Sequence, residues 1–374
     1  MIEDLGFNLV IKDGYVADGT GNPWFKGDVA VEGGKIAEVG VVDEGGAERV
    51  IDAEGLVVAP GIVDLHNHSD LTLLINPRAE SVVRQGITTA VVGNCGVSLA
   101  PLREEALDLV KSYFSGFGPV ELLDWDWLTF AEYLRKLEGQ GTAVNVGSLV
   151  GHGTVRTIVM GFDVRAPSGG ELDEMRGLVD RSMREGALGL SSGLEYAPGN
   201  NAETGELVEL AKVAAKYRGA VYATHVRQRD VRMLESVGEA IEIGERGGLP
   251  THISHHPARY PFQGRMGEVL KIQEEARGRG LDVTFDVYIW NHNITSLTAQ
   301  VPHWAHEGGR QRLLERLEDP EVRERIKRYD NPQVKLIVDG KWDRVYLGDC
   351  KENTALIGRS FAEIAEIRGV EDPW

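Results

Sequence analysis

Five side chains in this sequence combine metal-gripping chemistry with positions from which they can meet. His66 and His68 lie in Asp64-Leu65-His66-Asn67-His68, directly after the apolar run Gly55–Val63. Side chains repeat every second residue on an extended chain, so both imidazoles project toward one face. Two neutral imidazoles placed this way can hold a zinc-type ion. Cys95, in Gly93-Asn94-Cys95-Gly96, is a zinc ligand as a thiolate and a small buried hydrophobe as a thiol. His225 closes Val221-Tyr222-Ala223-Thr224, and His255 follows Thr251-His252-Ile253-Ser254. By alternation His255 shares a face with Ile253, and His256 points away. His252 reads as a packing residue or a support for the ligands. One such histidine alone would most simply pack; ligand types at several strand exits together point to a metal centre.

Positioning these groups requires a parallel sheet. Candidate strands are Leu56–Leu65, Thr88–Gly93, Ala143–Val150, Ala187–Ser191, Ala220–Thr224, Pro250–Ser254 and Leu281–Val287. Helical periods separate them. Glu206–Tyr217 places Leu207, Leu210, Ala214 and Tyr217 on one face, and Val231–Arg246 stops at the capping signal Gly247-Gly248. Alternating β and α segments imply an α/β fold, and seven strands suggest a (β/α)8 TIM-like barrel, one strand short of complete. Catalytic groups of such barrels lie at the carboxyl ends of the strands. Residues 1–56 read as a small β domain with a hairpin at Glu32-Gly33-Gly34, too small to stand alone. Residues 57–374 read as the barrel domain, with a partly helical insert near 102–140, carrying Trp125, Trp127 and Phe130, expected near the mouth. Gly309–Tyr329 and Ser360–Arg368 read as helices.

Composition narrows the function classes. Lys+Arg 40 against Asp+Glu 58 gives a net charge of −18, which argues against nucleic acid and anionic membranes as partners. The apolar fraction of 42% suits a soluble protein with a substantial core. Cys95 and Cys350 make no disulfide framework, which fits a reducing cytoplasm. Met1-Ile2-Glu3-Asp4 carries no signal-peptide pattern.

At this point the motifs resemble a known family. Pro60-Gly61-Ile62-Val63-Asp64-Leu65-His66-Asn67-His68 is similar to the opening of the amidohydrolase superfamily. Gly93-Asn94-Cys95-Gly96, Gly151–Arg156, Gly189-Leu190-Ser191-Ser192-Gly193-Leu194-Glu195-Tyr196, Ala223–Arg227 and Ile253-Ser254-His255 resemble, in order, the D-aminoacylase (N-acyl-D-amino-acid deacylase) branch. The resemblance implies a zinc-dependent hydrolysis of the amide bond of N-acyl-D-amino acids, with a small acylated amino acid as the partner. It implies that Cys95, His225 and His255 form a tight zinc site, with His66 and His68 sharing Cys95 in a weaker second one. Zinc acidifies water to hydroxide near neutral pH and polarises a carbonyl. Tyr196 matches the tyrosine that hydrogen-bonds the carbonyl oxygen as charge develops, packing on Pro198 being its alternative. Arg227 would support the site or fork a substrate carboxylate, a plain surface arginine being its alternative. Tyr288 and Ser296 match substrate-contacting positions.

The sequence also departs from that pattern. Pro257 stands where the family places Lys, with Arg259 as a substitute from another angle. Trp290 replaces the second tyrosine after Asp286-Val287-Tyr288. The family's catalytic aspartate lies on strand eight, after a helix resembling Leu356–Gly369, and this chain stops soon afterwards. The expectation is therefore a member shortened at its C-terminus. A rival reading makes Val334–Val338 strand eight and Asp339 the base. Two other activities stay open: hydrolysis of a cyclic amide or another acylated amine, and non-catalytic metal binding.

Overall fold

The computed structural model describes residues 6–116, 118–256, 258–329 and 335–373. The chain forms two compact units, one running to Ile62 with Gly86–Thr88, the other comprising Val63–Gln85 and the chain from Thr89.

The first unit is one five-stranded sheet of β1 (Leu9–Val16), β2 (Phe25–Glu32), β3 (Lys35–Gly40), β4 (Val50–Asp52) and β5 (Val57–Val58). β1 runs antiparallel to β2 and parallel to β4 and β5. The β2–β3 hairpin turns through Gly33 and Gly34 at φ 56° and 76°, backbone that glycine adopts without a steric penalty. Val10, Ala30 and Val42 form its core.

The stretch Leu56–Leu65, expected as one strand, is two. Pro60 has no N–H for a ladder and divides it. Val57–Val58 joins β1, and β6 (Ile62–Asp64) pairs with β7 (Ile87–Val92). β7 pairs in parallel with β8 (Asn145–Ser148). A second sheet runs in parallel through β9 (Val150–Gly151), β10 (Gly189–Gly193), β11 (Val221–His225), β12 (Thr251–Ile253) and β13 (Val283–Phe285). Only Leu149 separates β8 from β9, so together they are the single strand expected at Ala143–Val150. The result is a TIM-like α/β barrel with seven strands in sequence order among the described residues.

The helices outside the sheet bury the faces that their periodicity marks. Helix Thr204–Ala214 buries Leu207, Leu210 and Ala214. Tyr217 lies past its end, and its hydroxyl donates to Asp180. Helix Met233–Gly247 ends at Gly248, whose left-handed backbone (φ 77°) turns the chain so that the Leu249 N–H reaches the Gly244 carbonyl (3.0 Å). Val237, Ile241, Ile253, Val269 and Val283 join β12 and β13 to this helix and to helix Met266–Gly278 in one core.

In the insert Trp125, Trp127 and Phe130 are buried, with the two indoles stacked 5.4 Å apart and their N–H groups donating to the carbonyls of Val120 and Leu99. One sequence expectation needs correction: the proposed eighth strand fails. Val334 lies outside the described residues, and Lys335–Val338 is a helical turn. A short apolar run cannot distinguish strand from buried helix. No helix among the described residues is long and apolar enough to cross a membrane.

Candidate metal centre

All five candidate ligands converge at the carboxyl ends of the barrel strands. His66 and His68 leave β6, Cys95 follows β7, His225 is the last residue of β11, and His255 lies two residues beyond β12. The loops are braced from several directions. The Asp64 carboxylate accepts from the His66 N–H (3.1 Å) and the Asn67 side chain (2.9 Å). Asn94 donates to the carbonyls of Leu65 and Val91, and the Gly93 N–H donates to Asp70 (2.7 Å). Cys95 and His255 themselves adopt positive φ, 52° and 35°. Non-glycine residues held there store strain, which is concentrated at functional sites. Close backbone approach makes glycine necessary next door: a Cβ on Gly193 would stand 2.0 Å from the Cys95 carbonyl oxygen.

The donor atoms form two groups of three, His66/His68/Cys95 and Cys95/His225/His255, each within 4.8 Å. The Cys95 sulfur lies 3.3 Å from His66 Nε2 and 3.4 Å from His255 Nε2, and His66 Nε2 lies 3.4 Å from His68 Nε2. A tetrahedral ion with bonds of about 2.0–2.3 Å holds its ligands about 3.3–3.6 Å apart. Burial opposes ionisation of the Cys95 thiol, but His66, His255 and His68 outweigh it and hold the thiol well below its ordinary range. Burial likewise opposes charge on His66, yet the Cys95 sulfur and Asp286 push its pKa up to about 10. A thiolate ringed by imidazoles is a donor set in which a cation can replace the shared protons. Chemistry and spacing therefore fit a zinc-type ion.

Carboxylates stand behind the ligands. Asp286 accepts from His66 Nδ1 (3.0 Å), His252 Nε2 (3.0 Å) and the His255 N–H (2.6 Å). This turns His66 Nε2 toward the sulfur, the usual partnership that orients a metal-binding imidazole. Glu195 is buried and accepts from His225 Nε2 and Arg259. Arg229 Nη1 lies 3.1 Å from His255 Nδ1 and 3.0 Å from its carbonyl oxygen. A cation on His255 Nε2 requires the proton on Nδ1, and the carbonyl then remains as the arginine's acceptor. Buried Asp70 is raised to about 6 by burial, against the pull of His68.

Sequence reasoning singled out none of Asp286, Glu195, Arg229 or Asp70 as site residues. The signal for Asp286 was an acid one residue past a strand end; for Glu195 it was a lone charge in the uncharged run before Tyr196. His252, read as packing or support, bonds Asp286, and His256 turns away to Gln273.

The remaining candidate site residues lie in different settings. Tyr196 packs its ring edge-to-face on His225 at 4.8 Å, and its hydroxyl lies 3.3 Å from Thr295. Burial, then Glu195, raises the pKa of that hydroxyl, so it stays a donor. Tyr288 is half-buried and lies within the field of Arg259. Arg227 grips Glu239 at 2.8 and 2.9 Å and donates to the carbonyls of Asn200 and Ala202. Ser296 is exposed and caps its own turn through the Thr298 N–H. Asp339, the rival base, is held by Lys335 and Tyr260 and belongs to neither donor group. Pro257 lies outside the described residues.

Comparison with known proteins settles the ancestry. A model of the amidohydrolase family matches residues 49–370. The chain belongs to the amidohydrolase family. Among its relatives on the D-aminoacylase branch, an N-acyl-D-glutamate deacylase of Alcaligenes xylosoxydans xylosoxydans is 37% identical over 291 residues, covering 78% of this chain and 58% of that protein. An N-acyl-D-glutamate deacylase of Bordetella bronchiseptica was solved with zinc and a phosphonate mimic of the tetrahedral intermediate. It is 30% identical, with a TM-score of 0.78 over 98% of this chain and 69% of that one. A D-aminoacylase whose binuclear metal centre has been dissected is 31% identical, with a TM-score of 0.76 over 98% and 68%. The chain spans about three fifths of the length of the curated relatives it matches.

Proposed function

We propose that this amidohydrolase carries the metal-binding scaffold of an enzyme that hydrolyses the amide bond of N-acyl-D-amino acids. The observation that carries the reading is the convergence of Cys95, His225 and His255, with His66 and His68 sharing the same sulfur. Zinc held by these residues would supply Lewis acidity and a water acidified to near-neutral pKa. Cys95, His225 and His255 are assigned the tight site; His66 and His68 complete a weaker second one with Cys95. The Tyr196 hydroxyl, kept protonated, donates to the carbonyl oxygen as negative charge develops. Asp286 holds His66 in the tautomer that faces the sulfur. Tyr288 and Arg259 border the space beside Tyr196. No residue among those described is assigned the proton transfer to the leaving amine. Cys95 as a free ligand thiol fits a reducing compartment such as the cytoplasm. The first unit is read as one layer of a two-layer β domain, because its sheet leaves Ile36, Val39, Val50 and Val57 exposed.

The reading is tested by zinc analysis together with a panel of N-acyl-D-amino acids, N-acyl-L-amino acids and cyclic ureides. Tight zinc with cleavage of the D-amides supports it. Preference for the L-amides or the ureides refutes the substrate class. Bound zinc without hydrolysis of any member makes the chain a non-catalytic metal-binding protein.

A further inference from the structure

The carboxylate of Glu195 is surrounded by groups that only a charged partner explains. Its side chain is 3% exposed, and burying a carboxylate is costly unless it is paired. Arg259 Nη1 contacts one oxygen; His225 Nε2 and Arg229 Nη2 (3.5 Å) contact the other. Strand register brings it there. Gly193 pairs with His225 across β10 and β11, and Glu195 follows two residues later. On the far side, Arg229 also holds the His255 carbonyl, so one carboxylate ties together ligands from two neighbouring strands. Tyr196 packs edge-on against the His225 ring, and His255 stands 4.2 Å from it at 82°. The ring is thus gripped on its edge and confined on its faces.

An ionised carboxylate only accepts hydrogen bonds. Its partner nitrogen, Nε2, must therefore carry the proton, which leaves Nδ1 as the nitrogen available to a cation. One donor atom each of Cys95, His225 and His255 lies within 4.8 Å of the others. We propose that Glu195 is a positioning residue that holds Nε2 of His225 and so presents Nδ1 to a cation shared with Cys95 and His255. The proposal rests on reading Cys95, His225 and His255 as cation ligands. Arg229 and Arg259 keep the carboxylate charged, so a neutral amide of the same shape does not replace it. Glutamine would leave the buried Arg229 and the half-buried Arg259 facing an uncharged group that can turn either end to the imidazole.

Two measurements on the full chain decide the matter. Long-range nitrogen–proton spectra of histidine-labelled, zinc-loaded protein report which nitrogen of His225 is protonated. Zinc affinity by chelator competition is then compared with Glu195→Gln. The expected results are a protonated Nε2 in the wild type and, in the variant, a loss of that signature with a 10–100-fold weaker first zinc equivalent. A merely structural role would lower the thermal midpoint and leave tautomer and zinc affinity unchanged; that result overturns the proposal. A proton on Nδ1 in the wild type overturns it even if the variant does not fold. If the wild type binds no zinc, the metal-centre reading fails instead, and a zinc-free His225 that lacks a proton on Nε2 still overturns the role of Glu195.

Discussion

Replacing Cys95 with alanine tests the sulfur's position in both donor groups. Complete zinc sites in small domains are worth about 10–16 kcal/mol. Cys95 is one of three donors in each group, so an even share is roughly 3–5 kcal/mol, or about 10²–10⁴-fold in dissociation constant. The loss should strike both groups, because the same sulfur lies 3.3 Å from His66 Nε2 and 3.4 Å from His255 Nε2. His68→Ala, by contrast, touches only one group and should leave the tight equivalent in place. The assay is competition for zinc with a chromogenic chelator, with elemental analysis for stoichiometry. Circular dichroism confirms that the variant remains folded. A folded Cys95→Ala protein with wild-type zinc affinity and stoichiometry would refute the reasoning, since the shared donor would then be irrelevant.

Three further outcomes follow from the geometry. Gly193→Ala should weaken zinc binding in a folded chain, because its Cβ would press on the carbonyl of Cys95; unchanged affinity in a chelator titration counts against that close approach. Arg227→Met should lower the thermal midpoint, each charged hydrogen bond to Glu239 being worth about 1.5–3 kcal/mol before solvent exposure is discounted, and leave zinc affinity alone. Weaker zinc binding without lost stability would return Arg227 to the site. Burial, reinforced by Glu195, raises the Asp230 carboxyl to about 7. The folded state then holds a proton that the unfolded chain has released above about pH 4, so this group's contribution falls as pH rises from about 4 through 7. Asp230→Asn should therefore gain more thermal stability, relative to wild type, at pH 8 than at pH 5; equal effects at both pH values would contradict the shift.

The ligands were legible because strand alternation and strand-exit placement are local properties. His66, His68, Cys95, His225 and His255 each follow an apolar run that reads as a strand on its own. Their supports were not legible, because those contacts span the chain: Asp286 meets His66 across 220 residues, and Glu195 meets Arg259 across 64. The partner of Arg227 was hidden for the same reason: Glu239 lies on a helix twelve residues further along. Lys335–Val338 shows the limit of composition: four residues are too few to display a period.

The ladders that join β7 to β8 and β9 through β13 involve backbone atoms alone, and the ligands hang from their ends. Nothing in those ladders depends on a cation, unlike a zinc finger, which collapses when its ion is withdrawn. The frame should survive stripping by a chelator and accept a different ion in return. One polypeptide could then be charged with zinc, cobalt or copper in turn, and the influence of each ion compared on an unchanged scaffold.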